Sequence, residues 1–147
     1  MNEEILSYIW KFQYFNAIHL TTEAGESITV LKTGMLNSNA GPDFMNAHIL
    51  LNDIEWIGCI EIHVKASDWH RHQHTYDRNY ESVILHIVWE NDDPIKRNDG
   101  SIIPTLCLNG LVKKEVLDQY FKLQHEKSTI PCRSQFPQVA YIKKIAM

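Results

Sequence analysis

The sequence predicts an α+β domain with N- and C-terminal helices flanking a largely antiparallel or mixed five-stranded sheet. Three observations lead there. Both ends of the first 126 residues carry apolar side chains at helical spacing. Between them lie five short runs rich in β-branched and apolar residues. Turn chemistry separates most of those runs.

Residues 3 to 16, EEILSYIWKFQYFN, read as the first helix. Ile5, Ile9 and Phe12 repeat at helical spacing, with Leu6, Trp10 and Tyr14 beside them. Asn2 suits the cap position, and Glu3 and Glu4 suit the positive end of the helix dipole. SITVLKTG then reads as a strand, and MLNSNAGPD as a loop. FMNAHILL and WIGCIEIHVK read as the two arms of a hairpin turned at Asn52 and Asp53. ASDWHRHQHTYDRNYE is polar and irregular, with room for a short helical turn. SVILHIVWE is almost continuously apolar, the mark of a strand covered on both faces. NDDPIKRNDG is a turn. In SIIPTLCL, Pro104 pushes the strand toward a sheet edge. LVKKEVLDQYFKLQHE is amphipathic, with Val112, Val116, Leu117, Tyr120 and Leu123 as its apolar stripe.

The chain has 147 residues, 44% hydrophobic and 22% charged, which suits one folded domain over residues 1–126. Residues 127–147 read as a tail that begins a further region of a longer protein or docks on a partner. No apolar run approaches the length of a membrane helix. The acidic, interrupted start MNEEILSYIWKF is wrong for a secretory signal. Cys59, Cys107 and Cys132 are an odd count without CxxC spacing, which points to reduced thiols and a cytoplasmic location. A net charge of -4 argues against coating nucleic acid by charge alone. A local patch drawn from Lys65, Arg71, Arg78, Lys96 and Arg97 would still serve a short stretch of phosphates.

Chemistry concentrates in EIHVKASDWHRHQHTYD, residues 61–77, which holds four of the eight histidines. Strand alternation puts Glu61, His63 and Lys65 on one face and Ile60, Ile62 and Val64 on the other. The apolar set must face the core, so the polar set lines a groove. Cys59 and His48 alternate toward that same face. The hairpin brings Asp43 of GPDF toward Glu61. Two converging carboxylates suit Mg²⁺ or Mn²⁺, because hard cations prefer oxygen ligands. Gly41 and the asparagines of NSNAGPD suit a tight loop that aims Asp43.

The WHRHQH stretch offers a second set. If extended, His70, His72 and His74 share one face, and imidazoles with a carboxylate suit Zn²⁺. The same stretch also reads as a solvated loop. A joint site is the third reading, with His72 or His74 as general base beside an Asp43–Glu61 metal. His86, in an apolar strand, reads as a hydrogen-bonded core histidine. Tryptophans 56, 69 and 89 suit packing more than base stacking. No Walker loop, GxGxxG or GxSxG elbow is present.

Asp43 after a proline, a hairpin, and then Glu61-x-His63 resemble the PD-(D/E)xK nuclease pattern. That resemblance implies a restriction-endonuclease-like fold, with a helix, a three-stranded meander, Asp on the second strand and the (D/E)xK on the third. It also implies metal-dependent phosphodiester hydrolysis. Asp43, Glu61, His72 and His74 would hold the metal, and Glu61, His63, Lys65, His72 and His74 would carry the catalysis. Nucleic acid would be the partner. His63 stands where the family has lysine, and Lys65 is the candidate to replace it. WHRHQH resembles the histidine-bearing end of very-short-patch-repair nucleases. The pattern normally has a full helix after the third strand, and only an irregular segment is expected here. The alternative is a non-catalytic module that binds a metal, a ligand or a protein.

A resemblance covering more of the chain rests on GPDFMNAHI, WIGCIEIHVKASDW and HRHQHTYDRNYESVILHIVWEND. These words are similar to an uncharacterised bacterial family, domain-of-unknown-function family 2851. It implies no activity.

Overall fold

The structure is a computed structural model that describes residues 1–127. Helix α1 spans Glu3–Lys11. Strands β1 (Ile28–Lys32), β2 (Met35–Leu36), β3 (Phe44–Leu51) and β4 (Ile54–Lys65) follow. The short helix α2 (Asp68–Arg71) and two single turns of 3-10 helix lead to β5 (Val83–Glu90). Strand β6 (Thr105–Cys107) and helix α3 (Lys114–Lys127) complete the described elements. The expected α+β class with a mixed sheet is what the chain adopts. The tail reading and Cys132 lie outside the described residues, apart from Lys127 at the end of α3.

The sheet runs β1-β3-β4-β5-β6, with β2 pairing beside β1 on β3. The β1–β3 and β3–β4 pairs are antiparallel, and β4–β5 and β5–β6 are parallel. The sheet is therefore mixed, and its parallel part explains why β5 is almost wholly apolar: both of its faces are covered. Pro104 precedes the edge strand β6, where a missing N–H does least harm, and its carbonyl accepts from His86 N–H at 2.8 Å.

One face packs on α1 and α3. Ile5, Leu6, Ile9 and Trp10 meet Phe44, Ile60, Ile62, Leu85 and Ile87, with Val116 and Tyr120 from α3. The other face is covered by the β4–β5 crossover and the segment before β6, through Ala66, Trp69, Ile95 and Ile103. Burying both faces of β4 is what gives Glu61 and His63 their dry surroundings.

Helix α1 is shorter than its apolar pattern. Asn2 caps it as expected, its side chain accepting from Ile5 N–H at 2.9 Å. At Gln13 the backbone turns left-handed, with φ of 54°, and the chain doubles back to bury Tyr14 and Phe15. Aromatic burial, not helix continuation, explains that part of the pattern. Strand β2 falls in a stretch expected to be loop. Its two exposed residues are held by pairing with Met45 and Phe44.

Candidate functional site

The site begins with an irregularity in β3. At its far end β3 pairs Ala47 with Gly58, but at its near end Phe44 pairs with Ile60, so the register slips by one residue between Phe44 and Ala47. Asn46 absorbs the slip in a left-handed conformation, φ 56°. A one-residue bulge inverts which face later side chains take. Ala47, Ile49 and Leu51 face the helices, and so does Phe44. Asp43 is thereby turned to the opposite face, beside Glu61.

Asp43 and Glu61 are tied together. Asp43 N–H donates to Glu61 Oε2 at 3.1 Å, and Ile62 N–H donates to Asp43 Oδ2 at 2.9 Å. The two carboxyls lie within hydrogen-bonding reach of each other. The approach to Asp43 is held by Asn37, whose amide donates to Pro42 C=O at 3.0 Å and Ala40 C=O at 3.2 Å. Gly41, φ 110°, supplies the left-handed step that loop requires.

The histidines arrive from three elements. His63 is on β4, and His86 is on β5 opposite Glu61. His63 Nδ1 stands 2.8 Å from His86 Nε2, and His63 Nε2 stands 3.1 Å from His72 Nδ1. His63 Nε2 is also 3.5 Å from Glu61 Oε1. His74 Nε2 is 3.3 Å from the same oxygen. One nitrogen from each of His63, His72 and His74 lies within 4.8 Å of the other two.

The irregular WHRHQH segment holds the short helical turn expected of it, followed by a kink, so the extended alternative with His70, His72 and His74 on one face is not adopted. Ser67–Arg71 wind into α2, Gln73 turns left-handed at φ 59°, and His74 opens a 3-10 turn. That kink sends His72 and His74 to Glu61. His70 leaves the group and pairs with Asp93 at 3.4 Å on the surface. Trp69 is buried against the edges or faces of His63, His74 and His86, and Tyr80 stacks on His74 with ring centres 3.7 Å apart. These rings wall His63, His74 and His86 from water.

Dryness dominates the electrostatics. Burial pushes the Glu61 carboxyl up to about 9, and the nearby Asp43 adds to the rise. Burial lowers His63 to about 2 and His86 to about 3, with neighbouring imidazoles opposing charge further. Asp43 is raised, chiefly by burial, and His74 is lowered for the same reason. At neutral pH the Glu61 carboxyl is therefore protonated while His63 and His86 are uncharged. Two buried ring nitrogens, His74 Nε2 and His86 Nδ1, have no hydrogen-bond partner.

Asp43, Glu61, His63, His72 and His74 thus come together. Lys65 lies on the exposed rim, opposite Glu90 and beside Asp92. Arg97 is committed to structure, donating to Val83 C=O at 2.8 Å. His48 shares the face of Glu61 but pairs across β4 with Ile57, four residues short of it, and contacts Glu55 at 3.6 Å. Cys59 also shares that face; its thiol is buried and accepts from Ser82 Oγ at 3.2 Å. Two participants were not read as such from the sequence. His86 is the hydrogen-bonded core histidine expected of it, yet its partner is His63. Glu3 suits the helix dipole, yet it stands on the rim, where desolvation and Asp43 raise its carboxyl. No spacing signal joins residue 3 to residues 43 and 61.

Among the described residues, no helix is long and apolar enough to cross a membrane. Comparison with curated proteins and with solved structures found no significant match. One family model matches residues 3–147, and its description is "Protein of unknown function (DUF2851)". With nearly its whole length matched, the chain belongs to the DUF2851 family.

Proposed function

We propose that this chain is a metal-dependent phosphodiester hydrolase of the nuclease type. One observation carries the reading: the Asp43 and Glu61 carboxyls converge where β3 and β4 meet, with imidazoles on the same side. The strand order supports it. A helix precedes an antiparallel meander, Asp43 immediately precedes β3, and Glu61-x-His63 lies on β4. That is the order of the restriction-endonuclease-like pattern. The crossover after β4 carries only the four-residue α2, where that pattern has a full helix.

The donor set fits a cation, since a carboxyl pair and a buried, unpartnered imidazole nitrogen face one spot. Asp43 and Glu61 would hold Mg²⁺ or Mn²⁺, with Zn²⁺ as the alternative. A bound cation would polarise a phosphoryl oxygen and lower the pKa of a water. His63, kept uncharged by its dry setting, would orient the water, and His72 at the exposed edge would take its proton and pass it to solvent. Glu3, His72 and half-buried Asp43 form the solvent side, through which a nucleic acid strand would approach. Exposed Arg71 and Arg78 would meet its phosphates; Arg71 is already paired with Asp68 at 3.0 Å.

The test is nicking of supercoiled plasmid with Mg²⁺ or Mn²⁺. Asp43→Ala and Glu61→Ala should each lower the rate by about 100-fold or more, the loss expected when several kcal/mol of charge stabilisation disappears. Nicking that survives both substitutions overturns the assignment. The second reading is a non-catalytic metal-, ligand- or protein-binding module. The unpartnered His74 nitrogen favours it equally, because it calls for a cation and not for hydrolysis. Cation binding without nicking would select that module.

A further inference from the structure

We infer that His63, His72, His74 and Glu61 form one nitrogen-rich site for a transition-metal ion of the zinc class. The inference rests on the metal-dependent reading above and revises its ligand set: His63 and His72 hold the ion in place of handling water and proton, and Asp43 stands beside Glu61 without binding the ion.

A chain of hydrogen-bonded histidines accounts for part of the cluster without any metal. His86, His63 and His72 can pass one hydrogen bond to the next. It does not account for His74. That side chain is only 9% exposed, and its Nε2 lies 3.3 Å from Glu61 Oε1 without forming a hydrogen bond. Leaving a buried polar atom unpaired costs about 1–3 kcal/mol. Tyr80 and Trp69 hold the ring there. A cation at the focus of these atoms would give that nitrogen its partner.

Three of the six ligand–ligand spacings suit such an ion, and the three histidine nitrogens lie within 4.8 Å of one another. Zinc sits about 2.0–2.1 Å from nitrogen and oxygen ligands, so tetrahedral ligands stand roughly 3.3–3.4 Å apart. The contacts His63 Nε2–His72 Nδ1, His74 Nε2–Glu61 Oε1 and His63 Nε2–Glu61 Oε1 are 3.1, 3.3 and 3.5 Å. Three nitrogens and one oxygen select a borderline ion over magnesium, which prefers an all-oxygen octahedron. His86 completes the design. For Nε2 of His63 to offer a lone pair, its Nδ1 must carry the proton, and His86 Nε2 is placed 2.8 Å away to accept it. Metal-bound histidines characteristically have such a partner on the second nitrogen.

The experiment is calorimetric titration of metal-stripped full-length protein with ZnCl₂, paralleled by the visible spectrum with CoCl₂. The variants are His72→Ala and, as control, His70→Ala. Both side chains are exposed, so neither change threatens folding. Wild type and His70→Ala should bind one zinc with equal affinity and give the strong visible bands of four-coordinate cobalt. His72→Ala should bind at least about 10-fold more weakly and lose those bands. The inference is overturned if wild type binds no zinc, or if His72→Ala binds as wild type does. Failures are separable: zinc binding without nicking removes only the hydrolytic reading, whereas magnesium-supported nicking without zinc or cobalt binding removes only this one.

Discussion

Asp43 faces Glu61 because Asn46 holds a bulge. With the Ala47↔Gly58 register continued unbroken, Asp43 would fall opposite Ile62 on the helix-covered face; the slip places it opposite Glu61 instead. Asn46→Gly keeps the left-handed geometry and should change stability little. Asn46→Val puts a β-branched residue at φ 56° and should cost about 1–3 kcal/mol in urea unfolding. Because Asn46 is exposed, lost burial does not confuse the comparison. Equal midpoints for the two variants would show that the bulge does not depend on that conformation.

The buried acid and bases set the pH response of stability in opposite directions. His63 and His86 are lowered on folding, so below about pH 6.5 the unfolded chain binds more protons and stability falls as pH falls. Glu61 is raised to about 9, so above about pH 4.5 the folded chain binds more protons and stability falls as pH rises. Each proton contributes roughly 1.4 kcal/mol per pH unit while the two states differ. Two histidines outweigh one acid below about pH 6.5, so stability should peak near pH 6.5, and Glu61→Gln should flatten the alkaline limb up to about pH 9. Unfolding followed across that range checks both slopes. An alkaline limb unchanged in the variant would contradict the assignment to Glu61.

The sequence was informative wherever a side chain's own neighbours decide its place. The limits of β3 match the expected run from Phe44 to Leu51, because alternation and a turn at Asn52–Asp53 are local signals. The facing of Glu61 and His63 followed from the apolar set of Ile60 and Ile62. What escaped depends on nonlocal geometry. Glu3 reaches the site only because α1 packs on β4, and its local role as a helix-start acid explains it fully. The bulge at Asn46 is invisible in FMNAHILL, since asparagine alone does not announce a left-handed residue within a strand. The joint site of His72 and His74 with Asp43 and Glu61 is one of three readings the sequence offers, and what realises it, the kink at Gln73, has no signal in WHRHQH.

His63 and His86 are coupled through the 2.8 Å contact between their rings. Removing one leaves the other with a buried, unpaired nitrogen. His86→Phe and His63→Phe should each cost about 2–3 kcal/mol, and the double variant clearly less than their sum. A double-mutant cycle from urea unfolding measures the difference. Strict additivity would mean that the two rings share only a wall of the core, not a hydrogen bond.

Gly58 seats the strand that carries His86. A Cβ at this position would stand 2.5 Å from Ser82 C=O and 2.6 Å from Ile84 Cγ2, and the first of these is backbone that cannot swing aside. Strand β5 could accommodate it only by moving away from β4, and that movement widens the Glu61↔His86 pairing next to the site. Gly58→Ala should therefore destabilise by about 1–3 kcal/mol, although alanine is ordinarily the better strand residue. It should also weaken zinc binding, because His86 would no longer hold His63. Gly25 has open space around it and serves as the comparison for crowding, although its φ of 89° carries a strain of its own. If Gly58→Ala left both the unfolding midpoint and the zinc affinity unchanged, β4 and β5 would have slack at this point, and the close approach would not be what positions His86.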